Sequence, residues 1–425
     1  MVQIKRYDRY TDSGDEWIGE MPERWKKIKL RWYLRCKSGD SLNNELVNKE
    51  RGEMTIPVIG GNGIMGYTEE ANIFSKTIAI GRVGALCGNV HLIDSDCWIT
   101  DNSLYLNDYN MQIINMEYLF YVLKQLNLNQ FSTATAQPLI TGETIKQRIV
   151  LIPSLEEQTQ ITSFLDQKTA EIDSLISDKV RLISLLKEQR QAIITEAVTK
   201  GLNPEVKMKN SGVEWIGEVP EYWTIKKLKY VFSIKKVIKN DKSPKVLSLT
   251  QRGLKIKDLD NNEGQHAADY SKYQEVRRKD FVMNSMDLLT GFVDCSKYEG
   301  VTSPDYRVFV QRDDTQCHQY FLYYFQLCYW NRIFYGHGQG VSNLGRWRLQ
   351  SDVFKEFPVP MPPVSEQFEI SEFLTKKIAE IEEVIMDVEN LIDILRQYRQ
   401  SLIYEAVTGK IDVRNYTASE LEMER

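Results

Sequence analysis

Two stretches of the chain place apolar residues at alternating four- and three-residue intervals, each opening after a proline (Pro153, Pro363) and running about 44 residues to a glycine (Gly201, Gly409). In the first the repeat passes through Ile161, Leu165, Lys168, Ile172, Leu175, Lys179, Leu182, Leu186, Gln189 and Ile193. In the second, 209 positions later, it passes through Ile370, Leu374, Lys377, Ile381, Val384, Val388, Leu391, Leu395, Tyr398 and Leu402. Seven of the first ten positions and nine of the second are apolar or aromatic, which is the a/d pattern of a coiled-coil heptad. Proline favours a helix start and glycine a helix stop, and Ser154 with Glu157 has the spacing of a capping box. Each stretch therefore predicts a helix roughly 65 Å long. Two equivalent rods in one chain would most simply pair antiparallel, because a globular segment must fit between them. Phe164, Ile176 and Ile183, with Phe373, Ile378, Ile385 and Ile392, fall outside this seam and widen the apolar stripe. Core packing and a docking surface for another protein explain them equally well.

The helices belong to a repeat that runs the length of the chain. SGDEWIGEMPERW at 13–25 recurs as SGVEWIGEVPEYW at 211–223, identical at ten of thirteen positions and offset by 198. The helical blocks are offset by 209, so the second intervening region is longer by 209 − 198 = 11 residues. Those regions, 26–151 and 224–360, look largely unrelated to each other. The expected fold class is α+β: two globular domains of mixed α/β content with twisted sheets, separated by two long antiparallel coiled-coil helices in a pseudo-twofold repeat. The expected divisions are a first globular domain 1–152, a helix 153–203, a second globular domain 204–361, a helix 362–413 and a tail 414–425.

A chain of 425 residues exceeds one ordinary core, consistent with this division. The net charge of −5 conceals opposed regions: −1 over 1–152, −2 over 153–203, +5 over 204–361 and −7 over 362–425. A basic second insert beside acidic helices is compatible with local DNA contact and protein partners elsewhere. The N-terminus is too polar and acidic for a signal peptide and no run of 18 apolar residues occurs, which predicts a cytoplasmic protein. Six cysteines without Cys-x-x-Cys spacing predict reduced thiols, and the adjacent Cys317 and His318 make a weak metal signal.

Catalytic signatures are missing. GNGIMG at 61–66 matches G-x-G-x-x-G, yet a β-rich run resumes at Thr77–Ile80 where a dinucleotide-binding unit needs a long helix, so turns in a curved sheet account better for the glycines. There is no Walker A sequence, no H-E-x-x-H, no nucleophile elbow and no Asn/Asp-Pro-Pro-Tyr/Phe; the four histidines are scattered.

The repeated EWIGE(M/V)PE-W segment, the helix starts IPSLEEQ and MPPVSEQ, and the helix ends EAVTKG and EAVTGK resemble the specificity (S) subunit of type I restriction-modification systems. Within the inserts, IPVIGGNGIMGYTEE, TIAIGRVGALCGNV and GVTSPDYRVF resemble that family's target recognition domains. The resemblance implies that each target recognition domain reads one half of a bipartite, asymmetric site in double-stranded DNA while the helices act as spacer. It implies that two methyltransferase (M) subunits dock on the repeated frame and that restriction (R) subunits join that core. The chain itself would bind no cofactor; S-adenosylmethionine, ATP and Mg would serve the partner subunits. The alternative is a coiled-coil scaffold that reads no DNA.

Base-edge readout requires amide, guanidinium and hydroxyl groups, and phosphate clamping requires Lys and Arg. The candidates in the first insert are Lys76, Arg82, Thr133, Thr135 and Gln137. In the second they are Arg252, Lys255, Lys257, the run Arg277, Arg278, Lys279, and Gln339, Asn343, Arg346 and Arg348.

Overall fold

The computed structural model describes residues 5–52, 54–133, 137–238, 245–258, 270–340, 347–414 and 416. The chain forms two compact units, Met1–Lys179 with Asn390–Arg425, and Val180–Glu389.

In the first unit the repeated segment folds as a hairpin, β1 (Tyr10–Asp12) with β2 (Glu20–Pro22). It is followed by β3 (Lys26–Lys29), β4 (Leu34–Ser38), the hairpin β5 (Ile56–Gly60) and β6 (Gly63–Thr68), β7 (Thr77–Gly81), β8 (Val90–Ile93), β9 (Trp98–Ile99) and β10 (Ser103–Tyr109). Helices α1 (Met116–Gln125) and α2 (Gly142–Lys146) come next, and β11 (Ile149–Ile152) pairs back with β3 to close the insert. The central sheet is antiparallel in the order β4-β10-β7-β8, and a smaller sheet runs β6-β5-β9. Ile78–Ile80 in β7 is an unbroken apolar run because both faces of the strand are covered: Ile78 and Ile80 join the α1 core, whereas Ala79 packs with Ile59 and Ile99. β5 turns directly into antiparallel β6 at GNGIMG, with Gly63 at φ +92°, so no helix N-terminus stands there to cradle a phosphate.

Helix α3 (Leu155–Lys200) leads to the second unit, which opens on the hairpin β12 (Met208–Asn210) and β13 (Glu218–Pro220). There follow β14 (Thr224–Lys227), α4 (Leu228–Val231), β15 (Phe232–Lys235), β16 (Leu247–Thr250), β17 (Gly253–Ile256), β18 (Gln274–Val276), β19 (Phe281–Met283), β20 (Val293–Cys295), β21 (Gly300–Thr302) and β22 (Arg307–Gln311). Helices α5 (His318–Trp330), α6 (Ile333–Gly336) and α7 (Ser351–Glu356), strand β23 (Pro358–Met361) and helix α8 (Val364–Val407) complete it. Its central sheet has the order β15-β22-β19-β20, with β23 closing on β14. Strand for strand this is the order of the first unit, so two inserts that look unrelated in sequence have the same sheet order. Their cores hide the kinship. Ile78, Ile80 and Leu104 fill the first, whereas Phe232, Phe281, Phe309, Phe321 and Phe325 stack edge-to-face in the second.

The repeated residues tie each unit together. In the first, Trp25 donates through Nε1 to Glu157 of α3 (3.2 Å), Tyr7 donates its hydroxyl to the same carboxylate (2.7 Å), and Gly409 (φ +69°) leaves room for Pro22 and Trp25. In the second, Trp223 donates to Glu366 of α8 (2.9 Å) and packs against Gly201 (φ +79°). A left-handed glycine thus ends each helix beneath the hairpin's tryptophan. Half of the expected capping box forms: Ser154 Oγ accepts from Glu157 N (3.2 Å), but the Glu157 carboxylate is taken by Tyr7 and Trp25. The Gln of each EEQ/SEQ start is fully buried. Gln158 Oε1 accepts from Asn115 N (2.8 Å) and Gln367 Oε1 from Cys317 N (3.0 Å), clamping the amino ends of α1 and α5 to the long helices.

The buried stripe of the long helices departs from the expected seam in their middle. Along α3 it runs Ile172, Ile176, Lys179, Ile183, Leu186, Arg190, Ile193, and along α8 Leu374, Ile378, Ile381, Ile385, Val388, Ile392, Leu395, Arg399, Leu402. Ile161, Leu165 and Ile370 are buried at the outer ends, while Leu175, Leu182, Val384 and Leu391 are exposed. Two 4-3 registers coincide at every second position, through Ile172, Leu186 and Ile193 or Ile381, Val388 and Leu402, and Ile176, Ile183, Ile385 and Ile392, not Leu175, Leu182, Val384 and Leu391, take the positions between them. The register also brings arginines to the seam. Arg399 meets Asp173 (3.0 Å) in the first unit and Arg190 meets Glu382 in the second. Ile385→Ala is expected to destabilise the second unit by about 2–5 kcal/mol and Val384→Ala by less than about 0.5 kcal/mol in urea unfolding. Equal losses would refute this register.

Candidate nucleic-acid interface

In the first unit the polar candidates gather where β7 ends. A side chain at Gly81 would stand 2.4 Å from Gly61 O and 2.6 Å from Leu86 O, so glycine alone lets the β5–β6 turn and the 82–89 turn close on the strand end. Arg82 follows, donating from Nη1 to Ser38 Oγ (3.0 Å). The segment carrying Thr133 and Gln137 is pinned beside it, Ile140 N to Arg82 O (2.9 Å) and Gly84 N to Pro138 O (2.9 Å). Thr135 lies outside the described residues. Lys76 stands at the opposite end of β7, between Asp94 (2.8 Å) and Glu117 (2.5 Å), apart from the others.

The second unit builds the same corner from other residues. Leu349 N donates to Ser285 O (3.0 Å) just past β19, matching Ile140 N to Arg82 O past β7. Gln339 and Arg348 exchange backbone hydrogen bonds (3.0 and 3.1 Å), and Gln350 donates to Gln339 Oε1 (2.6 Å). The β16–β17 turn with Arg252 comes alongside, Gln251 Nε2 to Thr290 O (3.4 Å). Asn343 and Arg346 lie outside the described residues. Arg277, Arg278 and Lys279 sit at the far end of β19, with Arg277 on Glu275 (3.0 Å). Lys255 is exposed on β17, and Lys257 follows that strand, its N–H bonded to Val246 O (2.8 Å). The corner thus unites Arg82, Thr133 and Gln137 in one unit and Arg252, Gln339 and Arg348 in the other.

Several members of these corners are not among the residues expected from the sequence. Asn62 and Asn89 hydrogen-bond at the glycine crossing (2.9 Å), an exposed amide pair whose signal was the paired glycines around them. Arg307 is 6% exposed, lies over the Phe354 ring (4.7 Å) and donates from Nη2 to Leu349 O (2.7 Å), bracing the loop of Gln339 and Arg348. Burial pushes its pKa down to about 10, and its Nη1 has no partner among the described residues. Its one signal was an arginine opening the strand RVFVQ. Among the described residues no three His, Cys, Asp or Glu side chains are grouped to hold a metal ion, and no helix is long and apolar enough to cross a membrane.

The family model of the type I restriction modification DNA specificity domain matches the chain twice, over residues 22–181 and 220–389. The type I restriction enzyme EcoprrI specificity subunit of Escherichia coli is 29% identical over 167 residues, 39% of this chain and 41% of that protein. The MjaVIII specificity subunit of Methanocaldococcus jannaschii is 30% identical over 152 residues, 35% of this chain and 33% of that protein. Each of these two alignments spans less than half of the relative's own length. The EcoDI specificity subunit of Escherichia coli aligns at 20% identity across 92% of this chain and 90% of its own. A solved chain from work on complex assembly and conformational transition of the type I R-M system superposes with a TM-score of 0.65 at 13% identity, over 91% of this chain and 98% of that one, a likeness of fold. Matched in both halves of its repeat, the chain belongs to the type I restriction-modification DNA specificity family and carries two target recognition domains.

Proposed function

We propose that each unit reads one half of a bipartite, asymmetric site in double-stranded DNA, and that the long helices set the spacing between the halves. The observation that carries this reading is the matched corner: one sheet order, one loop contact past β7 and β19, and different polar side chains in each copy. Repeated frames with different readers suit a site whose two halves differ.

The helices supply docking surface for two methyltransferase subunits. Leu175, Leu391, Ile394 and Tyr398 in the first unit, and Leu182, Leu185, Val384 and Met386 in the second, are exposed apolar side chains on them. In this reading the chain is non-catalytic; S-adenosylmethionine, ATP and Mg act in the methyltransferase and restriction subunits.

Expression with the methyltransferase encoded beside it, in a host free of DNA methylation, is expected to place N6-methyladenine at a bipartite motif with a fixed unread gap. A stable complex that leaves the genome unmethylated would favour the scaffold reading, to which the acidic helices also conform.

A further inference from the structure

Leu86 and Leu289 occupy the same place in two turns, RVGALCGN at 82–89 and NSMDLLTGF at 284–292, that otherwise share little beyond Leu-x-Gly. Each leucine stands four positions before the next strand and two before a glycine with no room for a side chain. A Cβ at Gly88 would lie 2.5 Å from Asn129 N, and one at Gly291 1.9 Å from Asp287 O. The leucines are 48% and 53% exposed, although their neighbours Cys87 and Leu288 are buried, so the turns can bury apolar groups and hold these two out. In the second turn Asp287 Oδ1 accepts from Leu289 N (3.0 Å) and Thr290 N (2.9 Å), fixing the leucine at the tip.

Both leucines stand in the polar corners. Leu86 lies between Gly84, bonded to the segment of Thr133 and Gln137, and Asn89, bonded to Asn62. Leu289 lies between the Gln251–Arg252 turn, bonded to Thr290, and Gly338, which rests on Leu288. A single exposed leucine is ordinary. One at the same tip in both copies, ringed by hydrogen-bonding side chains, suits a duplex whose base edges are polar but which also offers thymine methyls and the apolar faces of opened base steps.

We propose that Leu86 and Leu289 are matched DNA-contact residues, one per half-site, that press against the apolar surface of the base pairs their units read. This rests on the DNA-reading function proposed above.

The test uses the intact complex with its methyltransferase and duplexes carrying the motif from the methylome. Leu86→Ala and Leu289→Ala are each expected to weaken binding about tenfold while leaving the log-log salt slope unchanged, because an apolar contact releases no counterions. Arg82→Ala, by contrast, should flatten that slope by about 0.9 if it holds a phosphate. Leu86→Ala should relax discrimination only in one half-site, Leu289→Ala only in the other, and Leu86→Met should restore most of the affinity. Thymine-to-uracil replacement that weakens the wild type but not the alanine variant would identify a methyl contact. A 2-aminopurine signal present only with the wild type would identify insertion at a base step. Unchanged affinity in both alanine variants, a flattened salt slope, or loss of the methyltransferase would overturn the proposal. Absence of site-specific binding by the wild-type complex would overturn the DNA reading, and this inference with it.

Discussion

Trp223→Ala is expected to destabilise the second unit by about 3–5 kcal/mol, lowering its melting temperature by roughly 6–20 °C, and to leave the first unit's transition in place. Trp223 is fully buried, donates to Glu366 and fills the space beside Gly201. Its removal opens a cavity and strips the Glu366 carboxylate of one donor, so transfer, cavity and hydrogen-bond losses combine. Trp223→Phe keeps most of the volume and should recover all but about 1–2 kcal/mol. Trp25→Ala should do the same to the first unit through Glu157 and Gly409. Differential scanning calorimetry of the three variants decides: a single transition that moves as a whole in every variant would mean the units do not melt separately.

Exchanging residues 26–151 for the corresponding insert of another specificity subunit is expected to replace one half of the methylated motif and keep the other half and the gap. The grounds are local. The insert is closed at its base by β3 on β11, the Trp25–Glu157 bond of the frame lies outside the exchanged segment, and Gln158 holds the insert from outside through a backbone N–H, that of Asn115, rather than through a side chain. Sequencing the methylated motif of the hybrid is the measurement, and a change in both halves would end the assignment of one reader to each insert.

How much of this was legible in the chain differs by layer. The repeat and the long helices were, because prolines, glycines and heptads act locally and leave local marks. The register in mid-helix was not, since two 4-3 frames share every second position and only the partner helix decides between Leu175 and Ile176, or Val384 and Ile385. Kinship of the inserts was hidden because β7 and β19 fill one layer with isoleucine in one unit and phenylalanine in the other. Among the candidate contacts, charge alone could not separate Lys76, paired with Asp94 and Glu117 at one end of its strand, from Arg82 at the other. Arg307 escaped notice because a buried arginine on a strand looks like any surface cation until the strand is placed.

The division of the chain has a consequence in time. The second unit is one continuous stretch, Val180–Glu389, but the first is finished only by Asn390–Arg425, whose Gly409 and Val407 meet Tyr10 and Tyr118. A ribosome adding about 5–20 residues per second needs roughly 10–40 s to make the intervening segment. Through that interval the first-made unit waits with the site for its last helix uncovered, while the later-made unit can already close. The order of completion on the ribosome is thus the reverse of the order of synthesis, and the partly built first unit is the species most in need of a chaperone.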